Sequence, residues 1–406
     1  MWAPSSKAGT KRLPPSRLCK RPRRNFGSTV KTIVGLFPEL LGVGGIQEVG
    51  RQTVAALTDV AIRRKCSTHF IALNDPLGTQ SFRFDGREFQ FDGYGRRKVK
   101  FALSAIALAR KEAFIAVAAH PHLAVPAGLM KIASPGLRYL VMSHGVEVWK
   151  PLSSFRRYAL SHANLALAPS SDTALKLAEF QGVANQKIRK LAWPVTPEFL
   201  RMTEQTAKLP LPKEFPHGKV ILTVGRETAS EQYKGTDALI RAVAQLRPTI
   251  PDIYLVVAGT GDDLPRLRTL AHDLGIPESV KFLGGIPREE VAACYARCDI
   301  FALPSTGEGF GLVFLEAMAF AKPVLGVACG GVTDLIQDGV NGLLIPPHNL
   351  GQLVKALGTL LINPALRQEY GLCGAEIVRR KYCFGTFESE LEDILMECGL
   401  DCGSPP

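Results

Sequence analysis

The chain of 406 residues predicts an α/β protein of two Rossmann-like, doubly wound domains facing one another with a cleft between them. Its length exceeds what a single hydrophobic core ordinarily fills. Short apolar runs alternate with helical periods, the pattern of parallel sheets covered on both faces. The alternation breaks once, in a proline-punctuated stretch, and then starts afresh.

In the front series a buried strand is expected over 32–37, a loop over 38–45 and an apolar-periodic helix over 46–57. Further strands are expected at 70–73, 89–91, 114–119, 139–142, 165–167 and 188–192. Pro194, Pro197, Pro210, Pro212 and Pro216 then interrupt a stretch without a clear apolar period, so 196–217 reads as an interdomain linker. The rear series has strands at 220–224, 253–258, 280–283, 300–303, 324–327 and 343–345, helices at 237–246, 264–274 and 289–296, and a last helix at 387–398. The expected division is a disordered basic tail over 1–30, a front domain over 31–195, the linker, a rear domain over 218–375 and a terminal segment over 376–406. In such sheets a ligand lies at the carboxyl ends of the strands, here in the cleft.

With 46% hydrophobic and 21% charged residues the chain is globular. Its net charge of +12 is unevenly spread: 1–30 carries eight cations and no acid, 31–195 carries 22 cations against 11 acids, and 218–406 carries 16 against 23. A basic front half calls for an anionic partner, whether a membrane surface, a phosphorylated acceptor or nucleic acid. No nucleic acid is expected, because the cations lack interleaved aromatics or a recognisable binding module. The stretch 95–111 is basic at both ends and apolar between, and with Arg63, Arg64, Lys65, Arg156 and Arg157 it suits either an ordinary surface helix or one lying on anionic lipid. No apolar run approaches the roughly 18 residues that span a bilayer, and the first segment lacks the apolar region of a secretory signal. The nine cysteines, odd in number and without a C-x-x-C pair, read as free thiols and not as zinc ligands. The expected place is the cytoplasm, with peripheral attachment to the inner face of the membrane left open as the alternative to a free surface helix.

Chemistry concentrates in the rear series. A buried strand over 300–304 runs into Ser305-Thr306-Gly307-Glu308-Gly309-Phe310-Gly311 and a small apolar helix, with Glu308 at the helix mouth and Glu316 eight residues on. Glycines let a ligand approach the backbone, and free N–H groups at a helix start attract anions. An isolated acid pair at this spacing would be a dipole partner and a solvated face. Joined to the strand, the glycine loop and the Lys322-Pro323 exit, it reads as a site for a phosphate-bearing ligand whose hydroxyls are held by carboxylates. Val224-Gly225-Arg226 closes one strand and Lys234-Gly235 precedes the next helix, so two cations meet where a diphosphate could be gripped. In the front series Gly44-Gly45 opens a helix after the first strand. His120 and His144 each follow a short apolar strand, which places both at carboxyl ends facing the cleft.

Glu308, Glu316, the loop between them and the Arg226/Lys234 pair resemble the signature of retaining, nucleotide-sugar-dependent glycosyltransferases of the GT-B fold, the E-x7-E type of the group 1, family 4-like enzymes. The resemblance covers about 31–395 and is strongest over 220–347. It implies transfer of a hexosyl unit from a UDP- or GDP-sugar to a glycan, lipid-linked or other hydroxyl acceptor, in cell-surface polysaccharide or glycolipid synthesis. It further implies that the front domain takes the acceptor and that the last helix crosses back onto that domain. Arg226 and Lys234 would hold the diphosphate and stabilise the leaving group, Glu308 would contact the donor sugar, and Glu316 the ribose. Gly45, His144, Gly284, Gly309, Phe310, Gly311 and Leu312 would line the donor site, with His120 at the donor sugar or acceptor. No Asp-x-Asp stands at an expected strand end, so fixed cations are expected to meet the departing charge without a metal or other cofactor. The loop 227–233 and the basic tail depart from the family pattern.

Rival classes are set aside on residues. A GT-B epimerase or phosphorylase is disfavoured by the two acids with the Arg226/Lys234 pair, and a phosphorylase would need a pyridoxal-binding lysine. A nicotinamide-dependent dehydrogenase fails at its fingerprint: Gln47, Leu264 and Phe314 stand where the third glycine belongs.

Overall fold

The computed structural model describes residues 31–111 and 113–400, so the expected basic tail over 1–30 lies outside the described residues, as does the stretch 401–406 of the terminal segment. The chain opens with β1 (Thr32–Phe37), buried at every residue as befits a central parallel strand. There follow α1 (Gly45–Arg63), β2 (Ser67–Ala72), β3 (Gly78–Phe84), β4 (Arg87–Gly93), α2 (Lys98–Lys111), β5 (Ala113–Ala118), α3 (Ala124–Ala133) and β6 (Arg138–Met142). The front domain continues through α4 (Ser154–Ser161), β7 (Leu165–Ala168), α5 (Ser171–Gln181) and β8 (Ile188–Lys190), and α6 (Pro197–Thr203) leads out of it. Its sheet runs β3-β4-β2-β1-β5-β6-β7-β8 and is parallel except where β3 meets β4.

The rear domain contains β9 (Lys219–Val224), α7 (Thr236–Leu246), β10 (Ile253–Ala258), α8 (Leu264–Asp273), β11 (Val280–Gly284), α9 (Arg288–Arg297) and β12 (Ile300–Leu303). After these come α10 (Leu312–Ala319), β13 (Val324–Val327), α11 (Val332–Leu335), β14 (Gly342–Ile345), α12 (Leu350–Ile362), α13 (Pro364–Lys381) and α14 (Phe384–Glu397). Its sheet is parallel throughout, in the order β11-β10-β9-β12-β13-β14. In both sheets the strand order reverses once, between β1 and β5 and between β9 and β12. At such a reversal the adjoining connections leave towards opposite faces and open a crevice beyond the strand ends.

Three features depart from the sequence expectations. The strand β3 was not expected, although Asp85-Gly86, with φ of 50° and 74°, is a two-residue hairpin turn that pairs β3 back onto β4. The stretch read as a linker holds α6, too short to display a period; Thr196 caps it at the Phe199 N–H, 3.3 Å away, and Phe199 is buried against Tyr295 and Phe320. Finally, α10 begins at Leu312, so Glu308 lies in the loop before the helix and only Glu316 is on it.

The two domains are packed together. One hydrophobic cluster runs from Phe37 and Val54 of the front domain to Phe301 and Leu391 behind it. The terminal α14 lies on α1, where Arg63 pairs with Glu388 and Glu392, and Arg64 reaches Glu392 at 2.6 Å. Such half-exposed pairs are worth little individually, so burial of Phe387 and Leu391 supplies most of the adhesion. Among the described residues no helix is long and apolar enough to cross a membrane. Cys294 and Cys298 are buried thiols, both pushed up to about 12 by burial.

Candidate active site

A cavity of about 350 Å³ opens between the domains, at the reversal points of both sheets. The rear domain supplies two adjoining loops to it. The first follows β9 and carries Arg226, Glu231, Tyr233 and Lys234; the second follows β12 and carries Gly307 to Leu312. Because β9 and β12 are neighbours, these distant stretches of sequence share one wall. The front domain answers with Gly45 and Ile46 at the start of α1, His144 and Glu147 after β6, and Trp193.

The cations are already engaged with an acid. Arg226 approaches Glu231 at 2.6 Å and Lys234 approaches the same carboxylate at 3.0 Å. The Lys234 ammonium also donates to the Arg226 carbonyl at 3.2 Å, which holds the two side chains at one spot. Arg226 is largely exposed and Lys234 largely buried, so the pair presents a cation at the mouth and another within the wall.

The loop before α10 is pinned from several sides. Thr306 N–H donates to the Tyr233 carbonyl at 2.9 Å, Gly331 N–H to the Glu308 carbonyl at 2.8 Å, and the Ser170 hydroxyl of the front domain to the Gly309 carbonyl at 2.8 Å. A Cβ on Gly145, whose φ is 133°, would stand 2.3 Å from the Gly309 Cα, so the two domains meet here backbone to backbone. Gly311, at φ 96°, turns the chain into α10 and leaves the first N–H groups of that helix at the cavity wall. Burial pushes the Glu308 carboxyl upward, opposed by Lys234 and by the Ser305 hydroxyl.

Of the residues singled out in the sequence, Gly45, His144, Arg226, Lys234, Glu308, Gly309, Phe310, Gly311 and Leu312 come together around this cavity. Glu316, Gly284 and His120 stand outside its lining. Glu316 points into a buried network, accepting from the Tyr295 hydroxyl at 3.1 Å, with Arg288 at 3.6 Å. Burial pushes it up to about 7, against the pull of Arg288. Gly284 ends β11, its carbonyl accepting from Gly259 at 2.9 Å.

His120 lies beside a neighbouring groove, its ring centroid 5.8 Å from that of His144. Its Nδ1 accepts from the His122 N–H at 3.2 Å, so in the neutral ring the proton sits on Nε2. Burial, reinforced by His144, His122 and Arg156, lowers its pKa to about 3, which keeps it neutral at ordinary pH. The imidazole is thus a hydrogen-bond donor at Nε2 and no proton acceptor there. His144 contacts the Ala119 carbonyl through Nε2 at 2.8 Å, and since a carbonyl only accepts, that nitrogen donates.

The sequence reading missed Glu231, Tyr233, Trp193, Arg288 and Glu48. Glu231 and Tyr233 fall in the loop that matched no pattern. Trp193 stands beside Pro194 where periodicity fails, and Arg288 and Glu48 look like ordinary first-turn surface charges. Among the described residues no cluster of three or more His, Cys, Asp or Glu side chains is placed to hold a metal ion.

Residues 206–374 match the family model described as glycosyl transferases group 1. The chain is 35% identical over 169 residues to the GDP-mannose-dependent alpha-(1-6)-phosphatidylinositol monomannoside mannosyltransferase of Mycolicibacterium smegmatis, covering 40% of this chain and 44% of that one. It is 35% identical over 208 residues to the D-inositol 3-phosphate glycosyltransferase of Corynebacterium aurimucosum, covering 49% and 47% respectively. The chain thus spans about half the length of the curated relatives it matches. Among solved structures, sucrose-phosphate synthase of Thermosynechococcus elongatus superposes with a TM-score of 0.73 at 20% identity, over 90% of this chain and 98% of that one. HepE of Anabaena in complex with UDP superposes with a TM-score of 0.66 at 17% identity, over 91% and 100%.

Proposed function

We propose a retaining hexosyltransferase that uses a nucleotide diphosphate sugar, a reading supported by the match of residues 206–374 to the group 1 glycosyl transferases and by the GT-B fold. The observation that carries this reading is the meeting of Arg226, Lys234, Glu308 and the backbone of residues 309–312 around one interdomain cavity. The cations and the first N–H groups of α10 suit a diphosphate, and Glu308 suits the hydroxyls of the sugar beyond it. Glu316 would take the ribose hydroxyls once Arg288 has given way or turned aside.

In this mechanism the bond from the anomeric carbon to the diphosphate oxygen breaks while the acceptor oxygen approaches on the same face. The acceptor proton passes to the departing diphosphate, and Arg226 and Lys234 stabilise the charge that remains. His120 donates from Nε2 to a sugar or acceptor oxygen. The acceptor hydroxyl enters from the front domain, whose basic face, with Val99 and Leu103 exposed on α2, would rest on an anionic membrane surface.

The test is a donor screen following release of nucleoside diphosphate from UDP- and GDP-sugars, with and without chelator. GDP-mannose, named for the mycobacterial relative, is the first donor to try. Release from one donor class, undiminished by chelator, is expected. No release from any nucleotide sugar overturns the reading, and release that vanishes with chelator and returns with magnesium overturns the role given to the fixed cations.

A further inference from the structure

A groove of about 740 Å³ runs through the front domain between α2, α3 and α4, beside the cleft and distinct from it. Ile46 lines both spaces, and the His120 ring in the groove stands next to the His144 ring in the cleft. Three kinds of side chain line the groove. Next to Ile46 and His120 are Glu39 and Gln47, joined by a hydrogen bond of 2.9 Å, a set suited to hydroxyl groups. Lys98 of α2 and Arg156 of α4 flank His122, whose pKa is lowered first by burial and then by these two cations, with Glu147 opposing. Among the described residues neither cation has a carboxylate partner. Apart from the exposed Asn74 and Ser153, the remaining wall is hydrocarbon, with Val125 and Leu129 half-buried and Val99 and Phe155 74% and 64% exposed.

Hydrocarbon left open to water along a concave wall costs free energy until a ligand covers it, and two exposed cations without a carboxylate partner beside it attract an anion to the same place. A soluble phosphorylated sugar would satisfy the cations and leave the hydrocarbon wet. An uncharged chain would do the reverse. Resting on the sugar-transfer reading above, we propose that this groove seats the acceptor, and that the acceptor is an anionic amphiphile. Its hydroxylated head lies at Glu39, Gln47 and His120, its phosphate between Lys98 and Arg156, and its hydrocarbon chain along Val125 and Leu129, leaving past Val99 and Phe155. A space of this size holds the head and the first part of a chain.

The experiment titrates dodecyl phosphate, dodecyl maltoside and inorganic phosphate into the full chain by calorimetry, below the micellar concentrations, with UDP and GDP titrated alongside. Dodecyl phosphate is expected to bind at least about tenfold more tightly than the other two additives, and Lys98→Ala and Arg156→Ala each to weaken it about tenfold. Leu129→Trp, which fills the groove, is expected to abolish that binding while nucleotide binding persists, which also shows that the variant is folded. Dodecyl phosphate binding that survives Leu129→Trp, or that inorganic phosphate or dodecyl maltoside equals, overturns the inference. So does its absence in a protein that still binds nucleotide. Failure of both nucleotides to bind would instead count against the sugar-transfer reading, whatever the groove does.

Discussion

Arg288, at the start of α9, donates to both oxygens of Glu48 on α1, at 2.6 and 2.7 Å, while the same guanidinium stands 3.6 Å from Glu316. One cation therefore ties the carboxylate proposed to hold the donor's ribose to the opposite domain. Its paired geometry depends on the planar guanidinium, which a lysine would not reproduce.

Titration of Glu316 should be visible in binding. Burial raises its pKa to about 7; Arg288 pulls it down, Glu48 pushes it up, and the Tyr295 hydroxyl donates to it. The ionised form is the better acceptor for ribose hydroxyls, so nucleotide affinity is expected to rise with pH through about 7, and Arg288→Ala to move that midpoint upward. Stability runs the other way. An acid whose folded pKa lies above its ordinary 4.5 costs stability as pH climbs from there to about 7, and that loss is expected to shrink in Glu316→Gln. Calorimetric titrations and melting curves across this window check both, and a midpoint unmoved by Arg288→Ala would remove Arg288 from the account.

The two acids of the glycine loop region are expected to differ in effect. Glu316→Ala should weaken donor binding, because the side chain is proposed to hold the nucleoside. Glu308→Ala should mainly depress turnover, because that carboxyl lines the cavity where the sugar is proposed to sit. Separate KM and kcat values for the two variants decide the matter, and full activity in both would discard the assignment.

Glu231 stands where an anion would sit, paired with both Arg226 and Lys234. A bound diphosphate must compete with it. Glu231→Gln is expected to tighten nucleoside diphosphate binding severalfold, while Arg226→Ala and Lys234→Ala each slow transfer by on the order of a hundredfold through lost electrostatic stabilisation. Wild-type kinetics in either alanine variant would place the diphosphate elsewhere.

The contact of Gly145 with Gly309 leaves no room for a methyl group. Gly145→Ala would bring a Cβ to within 2.3 Å of the Gly309 Cα and would strain a backbone at φ 133°. The domains are expected to separate, with turnover falling on the order of a hundredfold from misplacement of the reacting groups. Nucleotide affinity, proposed to reside in the rear domain, should change far less. Small-angle scattering and binding measurements test this, and unchanged dimensions with full turnover would overturn it.

Much of this protein could be read before folding was considered. The strand core of both sheets follows from largely apolar runs such as TIVGLF and ILTV, because a parallel strand buried on both faces carries few polar side chains. The antiparallel edge strand β3, mostly exposed, and the helix α6, too brief for a period to emerge, both escaped. The glycine loop, Glu308 and the Arg226/Lys234 pair were visible because local backbone geometry and charge demand those residue types in sequence. Glu231, Arg288 and Glu48 were not, because a charge beside a helix start looks the same in sequence whether it faces solvent or another domain. Their partners lie across a fold: Arg288 reaches Glu48 only because α9 and α1 are brought together from opposite halves of the chain. Local composition thus determined the elements and the chemical kind of the site, while the packing of one domain on the other decided which charges meet, which carboxyls are desolvated, and why His120 looks into a groove beside the cleft.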